Sequence, residues 1–181
     1  EDKIDNESIL DLALGRFKPT RDLLWHYRSR HESLIAFSNA HFYNNRLIVF
    51  PSPEERSEKF GVHYNYVGGT YNSSCNVEEA KAIVAEAKKF MREHPNKSLG
   101  IATMNTKQRD LIYEEMNLLF LNDKIAEAYR QKWALEGSGL EPFFVKNLES
   151  VQGDERDAIF ISTVYGPDKN GTVMQRFGPI N

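Results

Sequence analysis

The chain is 181 residues long, 40% apolar and 12% aromatic, enough to close a sizeable core and too apolar for a disordered tail. Its 23 basic and 26 acidic side chains leave a net charge of −3, which excludes a global electrostatic footprint for nucleic acid, so any such contact has to be local. The single Cys75 excludes an internal disulfide, the five histidines (26, 31, 41, 63 and 94) lack the paired spacing of a zinc site, and no run is apolar enough to span a bilayer.

With an acidic start, "EDKIDNES", unlike a secretory signal, a soluble cytoplasmic protein without structural metal and without a membrane partner is expected. The chain starts without Met and stops at "RFGPIN", which suggests a piece of something longer.

In chain order, "DLLWHY" reads as a strand. Ser29 with Glu32 is in capping-box register for a helix carrying Leu34, Ile35, Ser38 and Phe42 inward, with Arg30 and His31 in its solvated first turn. "RLIVF" and "VHYNYV" read as further strands, with a loop, "SPEERSEKFG", between them. "NVEEAKAIVAEAKKFMREHP" is a helix with Ala80, Ile83, Val84, Ala87, Phe90 and Met91 on one stripe, boxed by Asn76 and Glu79 and stopped by Pro95. "LGIAT" feeds a second capped helix, "NTKQRDLIYEEMNLLF", boxed by Asn105 and Gln108, with Leu111, Ile112, Met116, Leu119 and Phe120 on a face. A third helix over 123–135, a loop "EGSGLEP", and the strands "FFVKNL" and "AIFISTV" complete the order. The alternation predicts one α/β domain with a mostly parallel sheet and helices on both faces.

Ligands of open α/β sheets bind at the carboxyl ends of strands, which singles out three places. Tyr27 and Arg28 fall on the first strand-to-helix turn, where a rigid, always-charged guanidinium suits a phosphate and an aromatic ring suits a base; a surface ion pair beside a core tyrosine fits the same residues. Gly153 permits close backbone approach, flanked by Gln152 and Glu155 as hydrogen-bonding groups; an ordinary polar turn fits too. Thr103, Asn105 and Thr106 converge at a helix N-terminus that could accept an anion, or are a plain cap. No Gly-x-x-x-x-Gly-Lys-Ser/Thr phosphate loop, no magnesium-holding Asp-Glu strand end and no nucleophile motif occurs, so the chain alone lacks a catalytic set.

Together and in order, these pieces resemble the second RecA-like domain of a superfamily-one helicase of the Upf-like branch. "SILDLAL" is similar to the helix that follows the first motor domain. "WHYRSRHESLIAFSNAHFY" is similar to the Gln-Tyr-Arg-Met-His-Pro segment of motif four with its Ser-Asn-x-x-Phe-Tyr continuation, here Ser38, Asn39, Phe42 and Tyr43. "NVEEA" and "LGIATMNTKQRDLI" resemble the Asn-x-x-Glu-Ala helix start and the Ile-Gly-Ile-Ile-Thr-Pro-Tyr-x-x-Gln segment, and "LESVQGDERDAIFIST" resembles motif five. Glu32 stands where Pro is usual, Met104 and Asn105 where Pro-Tyr is, and Glu149 where Asp is commoner.

The resemblance implies a RecA-like three-layer fold over residues 1–181, with 1–21 as a linking segment and motif six expected just past "RFGPIN". It implies that Arg28 reaches the γ-phosphate, that Tyr27 stacks on adenine, and that Gln152, Gly153 and Glu155 lie toward the nucleotide, Glu155 at the ribose. Thr103 and Asn147 would face a nucleic-acid track and contact phosphates rather than bases. ATP with magnesium is the implied cofactor, the metal's ligands lying on a first RecA-like domain. The implied partners are that domain and a single strand, DNA rather than RNA. On this reading the piece is inactive alone, and the alternative is a catalytically inert RecA-like scaffold or binding module in a multidomain protein.

Overall fold

The computed structural model describes residues 8–29, 31–52, 60–135 and 141–173. They divide into two compact units, Glu1–Asn65 and Tyr66–Asn181.

The first unit begins with α1 (Ile9–Arg16), capped by Ser8, whose Oγ accepts the Asp11 N–H at 3.2 Å. A small βαβ follows: β1 (Trp25–His26), α2 (Ser33–Phe42) and β2 (Ile48–Val49), with the strands parallel and Trp25 opposite Ile48. Asn39 steadies it as a neighbouring strand would, its Nδ2 donating to Leu47 O at 3.3 Å while its Oδ1 accepts the Leu47 N–H at 3.0 Å. Both strands are shorter than their apolar runs.

Four local expectations fail in this part of the chain. Ser29 does not cap α2: its N–H donates to His26 Nε2 at 3.2 Å, and its Oγ lies 2.7 Å from the same nitrogen, so the preceding strand captures it. Glu32 occupies the cap position with helical backbone, and its carboxylate accepts the Ser52 N–H at 2.6 Å. Leu34 and Phe42 are exposed rather than inward. Residues 62–67 form no strand; Val62, Tyr64 and Tyr66 stay exposed, and β propensity without a paired ladder or a covered face does not make a strand. His31 is buried, not solvated, whereas Arg30 lies outside the described residues.

The second unit is built on a three-stranded parallel sheet, order β4-β3-β5, of β3 (Leu99–Thr103), β4 (Phe144–Asn147) and β5 (Ala158–Ser162). β3 is central and buried throughout, which is why "LGIAT" is continuously small or apolar. On one face Leu99 and Ile101, with Val145, Ala158 and Phe160, meet α3 (Val77–Glu93) and α4 (Thr106–Asn122) through Ala80, Ala87, Met91, Ile112, Met116 and Phe120. Both helical stripes are therefore those expected from the periodicity. α5 (Lys124–Leu135) runs under the start of β3, where Tyr129 Oη donates to Lys97 O at 2.6 Å.

The other face carries Gly100, Ala102, Phe144, Lys146, Ile159 and Ile161 by strand alternation. Gly100 has to be glycine: a Cβ there would run into the Phe144 ring. The connection from β4 to β5 includes a 3-10 turn (Leu148–Ser150) and returns across this face, with Lys146 Nζ donating to Asp154 at 2.6 Å and the Arg156 guanidinium 4.7 Å above the Phe144 ring centre. Asp157 ends the return, accepting from Ser98 N and Ser98 Oγ at 2.9 and 3.0 Å. The result is the mixed α/β, RecA-like arrangement.

At the top of the sheet a buried polar network fastens three elements, α3, α4 and β5. Gln108 Oε1 accepts the Asn76 N–H at 2.9 Å, while its Nε2 donates to Asn76 O at 3.0 Å and to Ser162 Oγ at 3.3 Å. Ser162 Oγ donates in turn to Glu79 at 2.7 Å. Both expected capping boxes are thereby half-made. Asn76 and Asn105 accept the Glu79 and Gln108 N–H groups as caps do, but the Glu79 and Gln108 side chains turn to distant partners instead of closing the box.

Two measurements follow. Gln108→Leu keeps the volume but strands the buried Asn76 N–H, while Asn76 O keeps the Ala80 N–H at 3.0 Å, and should cost about 1–3 kcal/mol by chemical denaturation. Asp123 caps α5 through the Ile125 and Ala126 N–H groups and pairs with Arg92 at 2.6 Å and Lys88 at 3.1 Å. Arg92 first, then the Ala126 N–H and Lys88, hold its carboxyl far below the usual carboxylate range. A depressed folded value means stability that is complete above the ordinary range near pH 4, declines as the pH falls below that range, and is gone only once the pH passes the depressed value. The stability gap between wild type and Asp123→Asn should thus be constant from neutral pH down to about pH 5 and shrink below about pH 4.

Candidate functional site

The carboxyl edge of the second unit's sheet is formed by Thr103, Asn147 and Ser162, which sit side by side in the strand register. The Met104 N–H donates to Ser162 O at 3.2 Å, so the loop after β3 is tied to the end of β5. Thr103 does not offer its hydroxyl to a ligand: the residue is 1% exposed and its Oγ1 donates to Asn105 O at 2.8 Å, which fixes the turn into α4. Asn105 Nδ2 donates to Ser74 O at 3.1 Å, and the loop is held from both sides. Asn147 is half-buried, its Oδ1 accepting from Ser150 Oγ at 2.7 Å.

Gln152, Gly153 and Glu155 lie together on the return from β4 to β5, and all three are exposed. Gly153 has φ +89°, and a Cβ there would touch nothing within 4 Å, so glycine serves the left-handed turn and leaves the space above it open. The turn is closed by the Asp154 N–H on Val151 O at 2.9 Å and anchored by the Lys146–Asp154 pair. Glu155 carries a contact of its own and is not a free carboxylate.

In the first unit Tyr27 and Arg28 occupy the turn between β1 and α2. Tyr27 is 87% exposed and Arg28 is exposed too, on a turn anchored by the His26–Ser29 bonds. Arg28 already has an interaction within the chain. Three residues later the backbone turns inward at His31, which is 3% exposed: its Nδ1 accepts the Ser33 N–H at 3.2 Å, while its Nε2 has no partner among the described residues.

The structure thus groups the expected site residues in three places: Tyr27 with Arg28, Gln152 with Gly153 and Glu155, and Thr103 with Asn147. Sequence reasoning gave Glu79 and Gln108 only a local capping role; their partners, Ser162 and Asn76, lie 83 and 32 residues away. The signal that could have found them was the polar Gln108 at one end of the otherwise apolar α4 stripe. Among the described residues no group of three or more His, Cys, Asp or Glu could hold a metal ion, and no helix is long and apolar enough to cross a membrane.

A family model described as "AAA domain" matches residues 6–175. The chain is 32% identical over 182 residues to the uncharacterized ATP-dependent helicase MG140 of Mycoplasma genitalium and, equally, to its homolog in Mycoplasma pneumoniae. In each case the match takes in the whole of this chain and 16% of the relative's length. No solved structure matches. With a match along nearly all of its length, an α/β RecA-like sheet and the helicase motif segments in order, the chain belongs to the AAA domain family, among the superfamily-one helicases of the Upf-like branch.

Proposed function

We propose that this chain is the second motor domain of a cytoplasmic, ATP-dependent helicase that moves on single-stranded DNA, supplying half of a nucleotide cleft and part of the strand track. The observation that carries this reading is the exposed Tyr27–Arg28 pair on a turn pinned by His26 and Ser29. An aromatic face suits the adenine, and a guanidinium suits the γ-phosphate, where it stabilises charge that develops during transfer. Such an arginine acts only when a domain carrying the phosphate loop and the magnesium ligands brings ATP to it, and in this proposal a first RecA-like domain does so. Magnesium, when bound there, neutralises phosphate charge; the residues here hold and orient the nucleotide.

In the same reading Gln152, Gly153 and Glu155 lie against the nucleotide, with the left-handed Gly153 leaving room for a close approach and Glu155 toward the ribose. Asn147 contacts the sugar–phosphate backbone of the strand, as a sequence-independent track requires. Thr103 contributes to the track through the loop that its buried hydroxyl fixes. Closure of the cleft on ATP and its reopening after hydrolysis shift the strand.

Arg28→Ala in the intact protein should leave nucleotide binding measurable and lower strand-stimulated ATPase by a factor on the order of 10³, read by steady-state phosphate release. Near-normal turnover would remove Arg28 from the site and favour the inert scaffold.

A further inference from the structure

Val164 is fully buried at 0% exposure, yet its φ is +63°. A β-branched residue in the left-handed region is a true outlier, since its Cβ crowds the following carbonyl. The Tyr165 N–H donates to Thr163 O at 2.7 Å, so the chain folds through a tight γ-turn centred on Val164, immediately after β5. The positive-φ form of this turn is the rare and strained one. Such strain persists only where surrounding contacts over-determine the backbone, and it concentrates at functional positions.

One side chain supplies those contacts. A single carboxylate oxygen of Glu79, Oε1, accepts the Ser162 hydroxyl at 2.7 Å and the Val164 N–H at 3.1 Å, bracketing the residue between them. Thr163, the bracketed residue, is exposed at the carboxyl edge, one position beyond Ser162, whose carbonyl holds the Met104 N–H of the neighbouring loop. Glu79 itself sits in the first turn of α3, which the Asn76–Gln108 bonds fasten to α4. The strained turn and the β3–α4 loop are therefore held to one frame.

We infer that Glu79 is a positioning residue: it clamps the Val164 γ-turn and so holds Thr163 and the Met104–Asn105 loop at the ligand edge in one fixed relation. The functional half of this inference rests on the motor reading above; the clamp itself does not. If the carboxylate's task is to keep Val164 at positive φ, then a glycine at 164, for which that backbone is unstrained, makes the carboxylate dispensable.

The test is a double-mutant cycle in the intact protein, with Glu79→Ala, Val164→Gly and the pair, and with Glu79→Gln as the milder variant should the alanine fail to fold. Thermal midpoints read the clamp without reference to activity. The loss on changing Glu79 should be markedly smaller in the Val164→Gly background, whereas additive losses overturn the clamp. Steady-state kinetics read the function. Glu79→Ala should lower strand-stimulated kcat by on the order of 10²-fold with KM for ATP little changed, and Val164→Gly should restore a large part of it. Losses in kcat that the glycine does not rescue, despite coupled midpoints, overturn the positioning role. Wild-type protein with no strand-stimulated turnover contradicts the motor reading instead, and the midpoint cycle still decides the clamp.

Discussion

The arrangement at the carboxyl edge of the second unit's sheet depends on Gln108. A fully buried amide has to find partners for both its ends, because leaving either unpaired costs as much as a typical hydrogen bond is worth several times over. Gln108 finds them in the Asn76 backbone and the Ser162 hydroxyl, and in doing so it joins the first turns of α3 and α4 to the last residue of β5. Apolar packing between the helices and the sheet sets their spacing but is non-directional; the network fixes their register along the strands. Asn76, Glu79 and Gln108, the polar residues of two of the helicase motif segments, thus have a structural reason to occur together. They build the platform from which the loops after β3 and β5 project.

The first unit solves a similar problem with less core. Its strands are two residues long, α2 has no buried residue, and the side chain of Asn39 pairs with both backbone groups of Leu47 to hold the crossover. What the unit does fix is the turn after β1, where His26 and Ser29 lock the backbone while Tyr27 remains in solvent. Ordering a turn around an exposed aromatic and a neighbouring arginine limits the conformational entropy that binding a base and a phosphate would otherwise cost.

Residues with local causes were legible in the sequence. The bounds of β3, the apolar stripes of α3 and α4, and the caps Asn76 and Asn105 all follow from periodicity and from short-range hydrogen bonding. What was not legible depends on distant chain. Ser29 and Glu32 have the spacing of a capping box, but His26 and Ser52 compete for them and win. "VHYNYV" has strand composition and no ladder to join. His31 reads as a polar first-turn residue and is buried, and Glu79 reads as the closing half of a box when its carboxylate serves a turn 85 residues later. Of the candidate site, the position of Asn147 follows from its place at the end of β4 and those of Gln152 and Gly153 from theirs just beyond it, whereas the inward hydroxyl of Thr103 depends on the turn that Asn105 makes next to it.

In the proposed function, Arg28 and Tyr27 complete a nucleotide site whose phosphates are brought by another domain. The most direct measurement is a structure of the intact protein with a non-hydrolysable ATP analogue and magnesium. The Arg28 guanidinium should then lie within hydrogen-bonding reach, about 2.7–3.2 Å, of a γ-phosphate oxygen, with the Tyr27 ring against the adenine. A nucleotide held entirely by other residues, with Arg28 making contacts only within its own chain, would contradict that arrangement.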